Sequence, residues 1–177
     1  MSVLAVQQTL IPVELPLAGL FQCDVDSVNR LLVRWDHNLG PCERLFEQQG
    51  WIFCVYGEPV ACAVSASSCS STAAGRPRGE LVELARLCAS ERWANRVMLR
   101  LWREVAAHQW ESWPVRAAIA YSQNYRHEGR LYRHDGWTKV TDRAGSNGGG
   151  NWSAKRDADH PAKGSKTLWI WDYEELR

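Results

Sequence analysis

The sequence predicts a single α/β domain, residues 1–177, with a mixed central sheet flanked by helices, and three observations carry the prediction. The chain has 177 residues of which 45% are hydrophobic, enough to fill one core and within the usual size of one domain. A strand, an amphipathic helix and a second strand follow one another over residues 80–121, and such a crossover brings its two strands parallel. Two apolar runs, residues 51–56 and 60–67, flank the turn signal Gly57-Glu58-Pro59 and read as an antiparallel hairpin. Parallel and antiparallel pairing in one chain make the sheet mixed.

The remaining elements follow in chain order. Residues 4–20 form a mostly apolar run broken by Pro12 and Pro16, which suits an extended segment or edge strand rather than a helix. Residues 23–35 predict a helix, with Asp24 or Asp26 as cap and Val28, Leu31, Leu32 and Trp35 at helical spacing. Loop formers then end it at Asp36-His37-Asn38-Leu39-Gly40-Pro41. Residues 69–79, rich in Ser, Ala, Gly and Arg, read as a surface loop before the strand at 80–88. The helix at 93–108 places Val97, Met98, Leu101, Trp102, Val105 and Ala106 on one face, and residues 115–121 supply the buried strand that follows. A short helix is expected at 127–134. Final strands at 137–141 and 167–173 are joined by a polar, glycine-rich insertion at about 142–166.

Composition narrows the function classes. A formal charge of +1 with 23% charged residues gives no global basic field, so any nucleic-acid surface must be local. Six cysteines form no C-x-x-C pair and several sit in apolar runs, which reads as reduced core thiols. No basic segment precedes a long apolar one at the N-terminus, and no apolar run approaches the roughly 20 residues of a spanning helix. A cytoplasmic protein without a membrane partner is the expectation. Most of the ten tryptophans fill or edge the core on this reading, with Trp93 and Trp152 as candidate exposed stacking platforms.

Two segments carry a more specific signal. Glu83-Leu84-Ala85-Arg86-Leu87 and the run from Ser122-Gln123-Asn124 through His127-Glu128-Gly129-Arg130-Leu131-Tyr132 to Trp137 resemble Mom-type phage DNA-modification proteins. That family is GNAT-like, modifies adenine in DNA against restriction, and carries an E-L-x-R-L strand and an H-x-G-x-x-Y-x-x-x-x-W block. The match also resembles uncharacterised actinobacterial proteins. The resemblance implies a GNAT-like fold in which acetyl-CoA or a related acyl-CoA enters between two splayed parallel strands. It further implies double-stranded DNA as partner and adenine N6 as acceptor. The chain departs from the pattern after the second parallel strand, where Gln123 and Asn124 stand in place of an acidic residue and cannot ionise.

Candidate site residues divide by task. Tyr132 occupies the position at which GNAT enzymes place a tyrosine that protonates the departing sulfur, and a phenol near pKa 10 is protonated at neutral pH. His127 reads as a base acting through water, a phosphate contact or a helix cap. Ser122 and Asn124 follow the strand edge where ligands bind in open α/β sheets, and His37 lies just past the first helix. For the cofactor, Arg86, Leu87 and Cys88 belong to the strand beside the expected cleft. Arg92, Asn95 and Arg96 open the next helix, where backbone amides and arginines suit phosphates even though the loop lacks glycine; ordinary capping residues would look the same. Arg86 interrupts an apolar strand and should have a defined partner, either Glu83 or Glu80 or a ligand. Arg143, Trp152, Lys155 and Arg156 in the insertion are the nucleic-acid candidates, and Trp51, Trp93, Trp137 and Trp152 offer a slot for an extruded base. No metal is assigned, since Asp36 and His37 lack any tight ligand spacing. Acylation of a small amine, a protein or an aminoacyl-tRNA, and a GNAT-fold binding protein without turnover, stay open as alternatives.

Overall fold

A computed structural model describes residues 17–124, 128–144 and 164–174. Strand β1 (Ala18–Cys23) leads into helix α1 (Val25–Arg34), whose cap is Asp24: its carboxylate accepts from the Ser27 amide at 2.6 Å. The hairpin is β2 (Gln48–Val55) and β3 (Glu58–Ala66). The expected loop at 69–79 contains a two-residue pairing of β4 (Thr72–Ala73) with β5 (Arg76–Pro77). Then come β6 (Leu81–Ala89), α2 (Arg92–Glu104), β7 (Ala117–Gln123), α3 (Arg130–His134), β8 (Thr138–Ala144) and β9 (Lys166–Asp172). Among the described residues no helix is long and apolar enough to cross a membrane.

Seven strands form one sheet in the order β1-β2-β3-β6-β7-β9-β8. Among the described strands only β6 and β7 are parallel; the other neighbours are antiparallel. One face packs on α2 and α3 through Trp51, Val82, Leu84, Met98, Trp102, Ala118, Ala120, Trp137 and Trp169. The other carries α1 over Cys62, Val64 and Cys88, and a smaller cluster of Ala73, Leu81, Ala117, Ile119 and Leu168. Cys42, Cys62 and Cys88 are buried as expected of core thiols, and all six cysteines are unbridged, but Cys69 is exposed and touches the Arg44 guanidinium.

The parallel pair matters most for function. β6 and β7 pair only from Leu81 with Ala117 to Leu84 with Ala120. On its other side β6 carries a bulge at the same point, where Val64 faces Arg86 but Ser65 faces Leu84, leaving Ala85 surplus. A surplus residue bends its strand and increases the local twist. Beyond Leu84 the strand therefore turns away, and residues 85–89 of β6 and 121–123 of β7 diverge into a wedge.

Candidate functional site

The wedge is walled by the ends of β6 and β7 and flanked by the N-terminus of α2 and by α3. Leu87 and Ala89 face the α2 side with Leu84, whereas Ala85 and Cys88 face the α1 side. Among the described residues no strand pairs with β6 on the β7 side after Leu84, so among these residues this stretch of backbone offers an open hydrogen-bonding edge.

Tyr132 comes from α3 and lies between two indoles. Its ring stacks on Trp169 at 5.8 Å between centroids and meets Trp137 edge-on at 5.4 Å. Burial pushes its phenol well above the ordinary tyrosine value, and the nearby Glu83 carboxylate adds to the rise. The group is therefore a proton donor throughout the physiological range. Tyr132 packs on the α2-facing side of the sheet with Val82 and Leu84 of β6.

Glu83 is a carboxylate whose role the sequence reading missed. It is buried and paired with Arg44, and burial outweighs that pairing to raise its pKa. Tyr121, on β7 across the wedge, is pushed up to about 12 by burial and by Glu83. The available signal was an acidic residue in an otherwise apolar strand, which is costly unless it is paired or used.

At the mouth of α2, an open cavity of 640 Å³ is lined by Glu91, Arg92, Trp93, Arg96, Val97 and Arg100. Glu91, at the cap, makes no side-chain capping bond to the helix. Arg92 and Arg96 thus border one open space along the first turns of α2, with Arg100 beyond them donating to Asp135, and this local positive charge favours a phosphate-bearing ligand. Arg92 and Arg96 are exposed, Asn95 is half-buried beside them, and Trp93 is 53% exposed. Trp51 and Trp137 are not slot-forming surfaces: both are buried, and their indole N–H groups donate to Ser65 and Asp135. The apolar core absorbed them, Trp51 from an inward-facing position of β2 and Trp137 from the turn just before β8.

Other predicted residues have other tasks. The Arg86 guanidinium donates to the carbonyls of Gly40 (3.0 Å), Pro41 (3.0 Å) and Ala85 (2.8 Å), tying the loop after α1 to β6. The expected acidic partners are engaged elsewhere, Glu83 by Arg44 and Glu80 by Arg76. Ser122 does not follow the strand but lies within it, buried, and its hydroxyl accepts from Trp169 Nε1 at 2.9 Å. Asn124 donates to the Asp142 carbonyl and the Ser165 hydroxyl and accepts from Thr167, which ties β7 to the ends of β8 and β9. His37 accepts from the Leu39 amide within its own loop, while its neighbour Asn38 donates to Gln123 at 2.7 Å across the wedge. Arg143 is exposed on β8. His127, Trp152, Lys155 and Arg156 lie outside the described residues.

The architecture can be set against known proteins. No family model matches the chain, and no curated protein matches it by sequence. Solved structures do match. The GNAT domain of PAT from S. lividans aligns at 16% identity over 88% of this chain and 90% of its own, with a TM-score of 0.52. The ribosomal-protein-S18-alanine N-acetyltransferase of Escherichia coli aligns at 11% identity over 86% and 90%, with a TM-score of 0.51. A GNAT family acetyltransferase of Elizabethkingia anophelis, solved with acetyl-CoA bound, aligns at 9% over 89% and 99%, with a TM-score of 0.50. The chain has the GNAT fold. Nearly the whole of each GNAT structure is covered, so the parallel pair, its flanking helices and the β7-β9-β8 edge are compared as one unit. At these identities the likeness is one of backbone path, and chemistry must be argued from this chain's own residues.

Proposed function

We propose that this protein is an acyl-CoA-dependent acyltransferase, and the observation that carries the reading is the wedge itself, where β6 and β7 part after Leu84 and Ala120, with arginines along the first turns of α2. Acyl-CoA supplies an activated acyl group as a thioester with phosphates at the far end. The residues present fit such a molecule. Arg92, Arg96 and the first-turn amides of α2 bind the phosphates, and the open edge of β6 at residues 85–89 hydrogen-bonds the amide-bearing arm. Tyr132 holds the proton that the departing sulfur needs, and Glu83 is the candidate acceptor for the proton of the attacking amine. Orienting both ends in a narrow cleft supplies the larger part of the rate.

The acceptor we propose is the exocyclic amine of adenine in DNA, on the strength of the Mom-like residues 83–87 and 122–137. In the fold Glu83 pairs with Arg44, Arg86 holds the loop after α1, and Tyr132 packs with Trp137 and Trp169. Adenine N6 is a weak nucleophile whose lone pair is delocalised into the ring, so its reaction demands close positioning.

Mass spectrometry of digested DNA from cells expressing the wild type or Tyr132→Phe tests the reading, together with thermal unfolding in saturating acetyl-CoA. The expected result is a heavier deoxyadenosine with the wild type alone, and stabilisation of about 2.7 kcal/mol at a hundredfold excess over Kd. Stabilisation with unmodified nucleosides would move the acceptor to an amine on a small molecule, a protein or an aminoacyl-tRNA. Absence of both would leave a GNAT-fold binding protein without turnover.

A further inference from the structure

We infer that Trp169 is the positioning residue that aims the Tyr132 hydroxyl at the wedge, and that Ser122 and Gly129 act on Tyr132 through it. The inference rests on the reading of Tyr132 as the proton donor.

Among the described residues the Tyr132 hydroxyl has no hydrogen-bond partner, so ring packing, not a polar tether, decides where it points. That packing is asymmetric. Trp137 touches the phenol with ring planes 72° apart, whereas Trp169 lies nearly parallel at 21° and covers a face. An edge contact leaves a ring free to rock; a covered face does not. Trp169 is itself fixed on two sides. Its Nε1–H is anchored by Ser122 Oγ in a buried hydrogen bond, which sets the rotation of the indole about its long axis. Gly129 closes in on the other side, where a Cβ would stand 2.1 Å from Trp169 Cζ2 and 2.8 Å from Nε1. Only bare backbone fits, and the φ of +62° at Gly129 suits glycine as well. The turn that opens α3 is thus seated on the same indole that stacks on the third residue of that helix.

Four residues from three segments of the chain thereby form one mechanical train: Ser122 on β7 holds Trp169 on β9, and Trp169 holds Gly129 and Tyr132 at the two ends of the segment 129–132. The arrangement assigns a reason to a tryptophan, as opposed to another large apolar residue, at position 169. Phenylalanine would keep a stacked ring but lose the polar anchor and leave room beside Gly129.

The test compares the wild type with Ser122→Ala, Trp169→Phe, Tyr132→Phe and the Trp169→Phe/Tyr132→Phe double variant, each confirmed folded by circular dichroism. Three quantities are read: acyl transfer from acetyl-CoA to duplex DNA, acetyl-CoA affinity by calorimetry, and tyrosinate formation by ultraviolet absorbance. Displacing the phenol by a fraction of an ångström should cut transfer about tenfold in Ser122→Ala and more in Trp169→Phe, with acetyl-CoA affinity unchanged within about twofold. Wild type and Tyr132→Phe should titrate the same number of phenols up to about pH 11, whereas Trp169→Phe, which opens room for water beside the phenol, should titrate one more within that range, and the double variant should lose it again. Transfer within about twofold of wild type in both Ser122→Ala and Trp169→Phe, alongside a large loss in Tyr132→Phe, overturns the inference. Full transfer in Tyr132→Phe, or none in any protein, sinks the proton-donor or acceptor reading instead. The titration then decides alone: an extra phenol in Trp169→Phe upholds the positioning role, and its absence ends it.

Discussion

Removing the Asp135 carboxylate should destabilise this protein more than any single change at its surface. Asp135 follows α3, and its side chain is 0% exposed. It accepts from Arg103 Nη1 at 2.6 Å, from Arg100 Nε at 2.9 Å and from Trp137 Nε1 at 3.1 Å, so one carboxylate joins α2 to the segment carrying Tyr132. The Arg103 side chain is only 9% exposed and lies 3.7 Å over the Trp171 ring. Asp135→Ala therefore leaves the Trp137 N–H without this acceptor and leaves the Arg103 guanidinium with the Glu104 carboxylate and the residue-135 carbonyl alone. Breaking one partner of a buried pair costs about 3–5 kcal/mol when nothing replaces it, and the surviving Glu104 contact sets this change at the lower end, still a large share of a total stability of roughly 5–15 kcal/mol. For a domain of this size the melting temperature should fall by about 10 °C. Arg100 provides the internal control. Its side chain is 56% exposed, and Arg100→Ala should cost less than about 1 kcal/mol although it contacts the same carboxylate. Calorimetric melting of the two variants decides the matter. Equal shifts, or an Asp135→Ala shift under about 2 °C, would refute the claim that burial of the Arg103–Asp135 pair, and not the contact count at Asp135, sets its importance.

Two further expectations concern backbone and pH. Gly129→Ala should cost at least about 1–3 kcal/mol from left-handed strain alone, with the collision on Trp169 added, which urea unfolding would detect as a lowered midpoint without a change in slope. Asp24→Ala should lower the melting temperature at neutral pH. The Ser27 hydroxyl and amide hold the Asp24 carboxyl below its usual range, so its contribution is present above the unfolded-state value of about 4 and is lost as pH falls through the depressed folded-state value. Melting curves of the two proteins should converge in acid; a constant gap down to about pH 2 would count against the cap.

The order of strands and helices was legible because apolar periodicity and turn signals are local properties. α1 and α2 announced themselves through Val28-Leu31-Leu32 and Met98-Leu101-Trp102, and the hairpin through Gly57. The pairing of β9 between β7 and β8 is a long-range outcome that local patterns do not encode. At the site, the value of Tyr132 came from a motif, and its surroundings from the fold. Ser122 read as a ligand contact because it seemed to follow a strand; the strand extends to Gln123 and turns the hydroxyl toward Trp169. Arg86 read first as a ligand contact, with an ion pair to Glu83 or Glu80 as the alternative; in the fold it donates to three carbonyls, and main-chain acceptors leave no composition signal. Glu83 was visible as a charge in an apolar run, but its partner Arg44 lies 39 residues away in a loop.

The surplus residue at Ala85 has a consequence for how this protein could change over time. The aperture between the parallel strands depends on how many residues β6 spends between Leu84 and Leu87, and only weakly on which residues they are. Substitutions along its walls can drift freely while the opening persists, which fits backbone likeness at 8–16% identity to the solved GNAT structures. Loss of a single codon there would be of another order. It would restore strict alternation with Arg86, Leu87 and Cys88 still on their present faces, remove the bend, and let the two strands run on side by side past Leu84. The molecule's capacity to admit a ligand is written as a count, and is fragile to arithmetic where it is tolerant of chemistry.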